Sequence, residues 1–494
     1  MTHETELKFG FDPTALPALA ERFTGPDSAR QRLQAHYFDT PDRLLARHRI
    51  ALRLRHEGDR WVQTLKAQGA VVAHRLEHNA ELADVGPDLP ALDLGRHHGT
   101  PAGDALAQVL AAAGDAEAIA ATLGRVYGTD LWRRSLQLSV AGGRIEAALD
   151  EGHILAGDQR LPVCELELEL LDGEPSALRV LASEWLPVHG LWLSHATKAE
   201  RGERLAQGLP MWPVVKAATP TRALPESAAE WLRDSVAGCL AQVVPNADAL
   251  ASGHGDAEHV HQLRVGLRRL RTVLRELAGI EAPAPVREAF SELGRWRDQD
   301  TVLQATAQTL AEEGAPPLAA PSRAADVPEP QTVARSSELQ LALLALTVQH
   351  LQADGLAPVE AGSARALARH RLQHLHRQVA RDADGFESLP VEQQHRSRKR
   401  LKRLRYLAEF AASAFDAKAV KRYLKQLEPA QDALGLHNDH AVAAQVYRQA
   451  AQAGDGNAWF AVGWLQGQAP ISARRCRKAL QRLADAPRFW KQPR

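Results

Sequence analysis

Cys164-Glu165-Leu166-Glu167-Leu168-Glu169-Leu170 places a carboxylate on every second residue, with apolar side chains between them. On a strand, residues i, i+2 and i+4 share one face, so Glu165, Glu167 and Glu169 point together and the leucines point away. The N-terminal stretch Glu4-Thr5-Glu6-Leu7-Lys8-Phe9 repeats the pattern, and Ala51-Leu52-Arg53-Leu54-Arg55 repeats it with the opposite sign. One such strand alone reads as a solvated charged face over an apolar core. Several of them, each with charge confined to one side, imply a shared charged interior with something bound in it.

At 494 residues the chain exceeds one hydrophobic core, so two or more domains are expected. The net charge of zero hides an asymmetry: residues 1–210 hold 22 basic and 30 acidic residues, the remainder 38 and 30. An acidic first half suits metal binding and a basic second half suits anions. Cys164, Cys239 and Cys476 are widely spaced and odd in number, so neither a disulfide framework nor a zinc spacing is expected. A reducing, cytoplasmic setting follows, with no signal-peptide pattern and no apolar run of about 18 residues to span a membrane.

Short strand-like runs at 3–11, 49–57, 60–67, 72–83, 131–140, 143–150 and 163–171 alternate with turn signals such as Glu57-Gly58-Asp59. Helical patches fall near 13–23, 102–113 and 175–187. The Pro-rich, aperiodic stretch 206–225 reads as a linker. From 226 to 490 the pattern is helical, and it repeats. His261-x-x-Arg264-x-x-x-Arg268-Arg269-Leu270-Arg271 returns as His395-x-x-Arg398-x-x-x-Lys402-Arg403-Leu404-Arg405. Leu293-Gly294 with Arg297-Asp298 and Asp300 is answered by Leu434-Gly435 with Asn438-Asp439. Two helical repeats, about 226–350 and 360–490, are therefore expected to pack about a pseudo-two-fold axis. The fold class is α+β: a barrel or strongly curved antiparallel sheet with flanking helices, then an all-α domain.

Burying an unpaired charge costs several kcal/mol, so a charged interior needs counter-charge, water or ligand. Grouped carboxylates (Glu4, Glu6, Asp150, Glu165, Glu167, Glu169) suit a hard divalent cation such as Mg²⁺ or Mn²⁺. Converging cations (Lys8, Arg53, Arg55, Lys66, Arg75, Arg133, Lys198) suit a phosphate chain. Arg133 is preferred to Arg134 because it shares parity with Ser135 and Gln137.

Glu4-x-Glu6-x-Lys8 resembles the ExExK signature of the CYTH superfamily, the triphosphate tunnel metalloenzymes. Tyr37-Phe38-Asp39-Thr40, Leu52-Arg53-Leu54-Arg55, Glu146 to Gly152, Cys164 to Glu169 and Ser194-His-Ala-Thr-Lys198-Ala-Glu-Arg201-Gly202 resemble its later blocks, in order, across residues 1–205. The resemblance implies an eight-stranded antiparallel tunnel. Glu4, Glu6, Asp150, Glu165 and Glu167 would hold metal; Lys8, Arg53, Arg55, Lys66, Arg133 and Lys198 would hold phosphate. Arg75 is a further substrate candidate or a tunnel-wall counter-ion, and Glu4, Glu6, Lys8 and Lys66 are the catalytic candidates.

In the second half, His261, Arg264, Arg268 and Arg271 fall within about 80° on the helical wheel, beside a leucine face. His395, Arg398, Lys402 and Arg405 repeat the stripe. A solvated face is the ordinary reading of a basic run, but like charges one turn apart need compensation. Two copies of one stripe favour a shared polyanion groove, to which Lys421 and Lys425 would add. The arrangement resembles the CHAD domain, a conserved-histidine α-helical domain of two repeats that binds inorganic polyphosphate. Metal at the two histidines is disfavoured, since neither has a carboxylate or second histidine at i+4. Nucleic acid is disfavoured because no aromatic interleaving accompanies the stripes.

The expected function is hydrolysis of inorganic triphosphate to pyrophosphate and phosphate, dependent on Mg²⁺ or Mn²⁺, with polyphosphate bound by the helical domain. The alternatives are a non-catalytic polyphosphate scaffold, an organic triphosphatase acting on thiamine triphosphate, or an adenylate cyclase. Oligomeric state is left open.

Overall fold

Alternating polar and apolar residues build one antiparallel sheet in the first of two units, Met1–Pro213 and Val214–Arg494. The computed structural model describes residues 5–68, 75–82, 88–218, 223–297, 302–318, 327–351 and 356–491. Its strands are β1 (Glu6–Gly10), β2 (Ser28–Asp39), β3 (Ala51–Glu57), β4 (Arg60–Gln68), β5 (Arg75–Leu82), β6 (Gly124–Val140), β7 (Gly143–Ala156), β8 (Gln159–Gly173) and β9 (Trp192–Leu193). They run in the order β5-β4-β3-β2-β6-β7-β8-β1-β9 as one tunnel-like sheet. The described residues thus hold nine strands where eight were expected. The ninth is a two-residue segment that pairs with β1 through Phe9 and Gly10.

The α-helices among the described residues of this unit are α1 (Leu16–Ala20), α2 (Leu44–Arg47), α3 (Pro101–Ala113), α4 (Ala116–Ala120), α5 (Ser176–His189) and α6 (Lys198–Ala206). On α5, Ala177, Leu178, Leu181, Ala182, Trp185 and Leu186 recur at helical spacing and are buried, facing the sheet. The helix stops at Gly190, whose φ of 61° is the left-handed conformation that glycine adopts without strain. On the other flank, Leu44, Leu45, Ile50, Leu52, Leu65, Ala102, Leu106 and Leu110 form a core between β3–β4 and α2–α3.

A polar lock pins the segment before α3 to the outer face of the sheet. Gln63 donates to the Asp93 carbonyl (2.7 Å) and accepts from its N–H (3.0 Å), which fixes its amide orientation. Its second amide proton then meets His97 Nε2 at 2.9 Å, so the His97 proton sits on Nδ1 and is donated to His78 Nδ1, also at 2.9 Å. Burial, together with His78, lowers the His97 pKa from 6.5 to about 4. A histidine whose folded value is depressed contributes stability that is full above 6.5 and lost as pH falls through 4. Thermal unfolding of the protein should therefore lose up to about 3 kcal/mol across that interval. A His97→Gln variant should flatten that acid slope, and an unchanged slope would contradict the assignment.

The second unit is helical: α7 (Ala228–Ala251), α8 (Ala257–Leu277), α9 (Ala284–Arg297), α10 (Leu303–Glu312), α11 (Pro330–Arg335), α12 (Ser337–Leu351), α13 (Ala364–Ala383), α14 (Val391–Phe410), α15 (Ala417–Gln452) and α16 (Ala458–Ala484). None of its described helices is long and apolar enough to cross a membrane. Helices α8 and α14 carry the two copies of the His/Arg motif. Ser227 and Ser363, which directly precede α7 and α13, form an antiparallel bridge. Its two hydrogen bonds are reciprocal: Ala228 N–H to the Gly362 carbonyl and Ala364 N–H to the Glu226 carbonyl, both 2.9 Å. In the second repeat, α15 runs 36 residues through Leu434-Gly435 and Asn438-Asp439, while the matching stretch of the first, after Arg297, lies partly outside the described residues. Asp298 and Asp300 lie outside the described residues.

Candidate functional site

Register decides which charges meet. Across β1, β8, β7 and β6, Lys8 pairs with Glu167, Glu165 with Asp150, and Asp150 with Arg133, so all of them share the inner face of the sheet. The carboxylates are deeply enclosed, with side-chain exposures of 0% for Asp150, 4% for Glu165 and 13% for Glu167. Each offers an oxygen within 4.8 Å of the others. Arg133 grips Asp150 with two bonds, 2.7 and 2.6 Å, and reaches Glu167 at 2.6 Å. Lys8 donates to Glu167 at 2.9 Å and lies 3.4 Å from Glu6.

Helix α6 adds two more cations from outside the sheet. Thr197 and Glu200 form a reciprocal capping box that fixes its first turn. Lys198 and Arg201, three residues apart, consequently project the same way. Lys198 Nζ contacts Asp150 (2.6 Å), Glu167 (3.0 Å) and Glu165, and Arg201 contacts the other Glu165 oxygen. Gly202 lets the helix approach this closely, because a Cβ there would lie 2.2 Å from the Tyr127 ring.

The remaining sequence-derived cations occupy the neighbouring strands. Arg53 reaches the Tyr37 hydroxyl at 3.4 Å, and its Nε is buried without a hydrogen-bond partner. Arg55 donates to Glu57, and Lys66 pairs with Glu77. Arg75 stands opposite Gln68 at the start of β5; its side chain lies outside the description. Glu4 lies outside the described residues, and Glu6 is not one of the three clustered carboxylates. Asp39, in the Tyr-Phe-Asp-Thr block, works on the backbone: its carboxylate accepts the N–H groups of Thr40, Leu45 and Ala46 at 2.7–2.9 Å and so holds the turn into α2.

In the helical unit the stripes divide into structural and clustered members. Arg264 is buried, donates to the Leu293 carbonyl at 2.9 Å, and lies over the Phe290 ring with Arg268 and Arg271. Gly294 leaves room beside it, since a Cβ there would come 2.9 Å from the Arg264 guanidinium. Arg268 extends to the Tyr406 hydroxyl of α14 at 3.5 Å, which brings the first stripe to the second. Arg405 is shared between Glu409 (2.7 Å) and Gln431 (2.8 Å), and His395 meets Asn438 at 3.1 Å. His261 is half-buried on α8. Lys421 and Lys425 are exposed on α15.

Two arginines of the same motifs tie the repeats together. Arg269 of α8 donates to Glu409 of α14 at 2.6 Å, and Arg403 of α14 donates to the buried Glu276 of α8 at 2.8 Å. Arg371 of α13 takes the second Glu276 oxygen at 2.9 Å. Arg275, Arg371, Arg400, Arg403 and His374 line a cavity of about 220 Å³ around that carboxylate.

Residues 2–202 match the CYTH domain, and residues 234–448 match the CHAD domain. The chain joins a CYTH domain to a CHAD domain. A curated inorganic triphosphatase of Haemophilus influenzae is 31% identical over 209 residues, which is 41% of this chain. The match spans 54% of that relative, about half its length. Among solved structures, the CHAD domain of Ricinus communis is 26% identical with a TM-score of 0.43, covering 56% of this chain and 98% of that one. HpAC1 of Hippeastrum, an adenylyl cyclase candidate described as having a dominant triphosphatase activity, is 19% identical with a TM-score of 0.31, covering 42% and 97%.

The electrostatics of the two domains differ in kind. In the CYTH domain, burial opposes the ionised Glu167, but Lys198, Lys8 and Arg133 outweigh it and hold its carboxyl well below the usual range. Burial and the adjacent Arg53 push the Arg55 guanidinium down to about 10, against the pull of Glu57. The inner face therefore has a region where acids and bases balance and a region where guanidiniums crowd each other. In the CHAD domain, burial and then Arg268, Arg398 and Arg405 lower the Lys402 ammonium from 10.5 to about 8, against the pull of Asp432. Burial and the nearby Arg271 and Arg403 likewise lower Lys399. Such under-compensated cations are what an anion would relieve.

Sequence reasoning left Arg201, Glu57 and Glu77 out of the site. Arg201 was legible in principle, one helical turn beyond Lys198 in a capped segment. Glu57 and Glu77 needed the register: Glu77 faces Lys66 only across the β4–β5 pair.

Proposed function

We propose that the CYTH domain hydrolyses inorganic triphosphate to pyrophosphate and phosphate with the aid of Mg²⁺ or Mn²⁺, and that the CHAD domain binds inorganic polyphosphate. The observation that carries this reading is the meeting, on one enclosed face, of three carboxylates with a row of guanidinium and ammonium groups. An all-oxygen cradle of Asp150, Glu165 and Glu167 fits a hard divalent cation, and Glu4 and Glu6 would complete it. Bound there, such a cation neutralises phosphate oxygens and acidifies a water.

The chain's own residues would do the rest. Arg53, Arg55 and Arg133 present planar donors to phosphate oxygens, and the buried Arg53 Nε has no hydrogen-bond partner of its own. Lys8, Lys66 and Lys198 add point charges along the same face, and Arg75, at the start of β5, would be a further phosphate partner. As the leaving pyrophosphate gains charge, these preorganised cations stabilise it without reorientation. Enclosure by Tyr37, Tyr127, Leu131, Ile154 and Leu205, packed under α6, excludes bulk water from one end of the inner face. The similarity to the Haemophilus influenzae inorganic triphosphatase supports the reaction class. The three free thiols fit a reducing compartment, and we place the enzyme in the cytoplasm.

The test is a substrate panel on full-length protein: triphosphate, thiamine triphosphate and ATP, with Mg²⁺, Mn²⁺ or chelator. Triphosphate should be turned over fastest and the chelator should stop it. A folded, metal-supplied protein that leaves triphosphate intact would sink the proposal.

A further inference from the structure

The carboxylate cradle already holds a cation supplied by the chain. Of the four basic groups that touch it, Lys198 alone contacts Asp150, Glu165 and Glu167 together. Lys8 bonds Glu167, Arg133 bonds Asp150 and Glu167, and Arg201 bonds Glu165. Every carboxylate oxygen of the three is engaged by one of these groups, so four positive charges already face three negative ones. A divalent ion needs the same oxygens. Added without any departure, it would set six positive charges against the four acids Glu6, Asp150, Glu165 and Glu167, in an enclosed region where charges are weakly screened.

We propose that the Lys198 ammonium is a resident counter-ion that exchanges with the divalent ion, leaving the cradle as the metal enters and turning to the phosphate chain. The proposal rests on the metal reading above. Lys198 is suited to leave: its contacts are those of a compact point charge on a flexible stem, and it springs from the first residue of α6. Arg133 is not, because its fork is locked to Asp150 by two bonds. The exchange couples two binding events. Metal alone must displace an ammonium that then has no acceptor, whereas metal with triphosphate gives that ammonium a new partner. Phosphate should therefore tighten metal binding through Lys198.

Full-length protein and the variants Lys198→Met and Lys198→Gln are compared by titration calorimetry with Mn²⁺. Titrations are run without phosphate and with a non-hydrolysable imidotriphosphate. The variants keep Lys8, Arg133 and Arg201 around the three carboxylates, so each acid retains a cationic partner. They should bind Mn²⁺ alone at least tenfold more tightly than the natural protein, and the tightening caused by imidotriphosphate should shrink. Mn²⁺ affinity that is unchanged or weakened by the substitutions, while the natural protein binds Mn²⁺ with imidotriphosphate, overturns the exchange and spares the metal reading. No Mn²⁺ bound by any of them under either condition overturns both. A check without substitution is ¹³Cε-lysine NMR of the natural protein, in which one ammonium-bearing resonance should shift on adding Mg²⁺. A spectrum indifferent to Mg²⁺ again removes the exchange.

Discussion

Replacing Glu167 with alanine is expected to end triphosphate turnover and to destabilise the CYTH domain by about 3–5 kcal/mol, the range for removing one partner from a buried ion network. Lys8 at 2.9 Å, Arg133 at 2.6 Å and Lys198 at 3.0 Å all converge on this carboxylate. Its loss would leave four cations around two acids. Glu167→Gln keeps the shape and one acceptor, so it should fold better while losing activity comparably. The separation of the two variants in melting temperature, measured by calorimetry beside phosphate release, checks both parts. The acid limb offers a second reading. Because the folded carboxyl is held below its ordinary 4.5, its contribution is present above that value and vanishes as pH falls through the folded one. The Gln variant should have a shallower acid limb than the natural protein. Full turnover by either variant would contradict the role assigned to Glu167.

Lys402→Met should do the reverse to stability. The folded ammonium titrates near 8 instead of 10.5, so its charge is disfavoured by the fold at neutral pH. Stability associated with this group is complete above 10.5 and lost as pH falls through 8. Allowing for its partial exposure, removing the charge should stabilise the CHAD domain by about 1–2 kcal/mol at pH 7. The same change should weaken binding of long-chain polyphosphate at least tenfold. In the natural protein a bound anion would restore the Lys402 proton, so binding between pH 8 and 10 should take up protons. Calorimetry in two buffers of different ionisation enthalpy measures that uptake. A destabilised variant with undiminished polyphosphate affinity would show that the cluster is an ordinary part of the core.

Among the strands that the sequence revealed, three show two faces that differ in kind. β1, β3 and β8 alternate charge with leucine or phenylalanine, and their register follows from that alternation. β2 escaped notice because Leu33, Ala35 and Tyr37 share the face that carries Arg53 and Arg55 in β3, while Gln34, His36 and Phe38 occupy the other; neither face is uniformly polar. β6 begins at Gly124, seven residues before the expected 131, because Thr129 and Asp130 interrupt the apolar alternation. The inner-face charges were legible one strand at a time, but their partners were not. Which acid meets which base depends on pairings between segments as distant as Lys8 and Glu167. In the CHAD domain the helical wheel found the stripes. It could not show that Arg264 turns to a backbone carbonyl over Gly294, or that Arg269 and Arg403, one position off the stripe, reach across to the opposite repeat.

Those two crossing arginines bear on how such a domain could arise. Glu276 is neutralised by Arg403 of the other half and Glu409 by Arg269, while the residues that open each half exchange backbone bonds with their counterparts. A solitary half would bare an acid, a base and two peptide groups, each complementary to a second molecule of itself. An ancestral homodimer satisfies all of them. Joining its protomers in one polypeptide replaces dilute encounter by a tethered one, at an effective concentration on the order of millimolar.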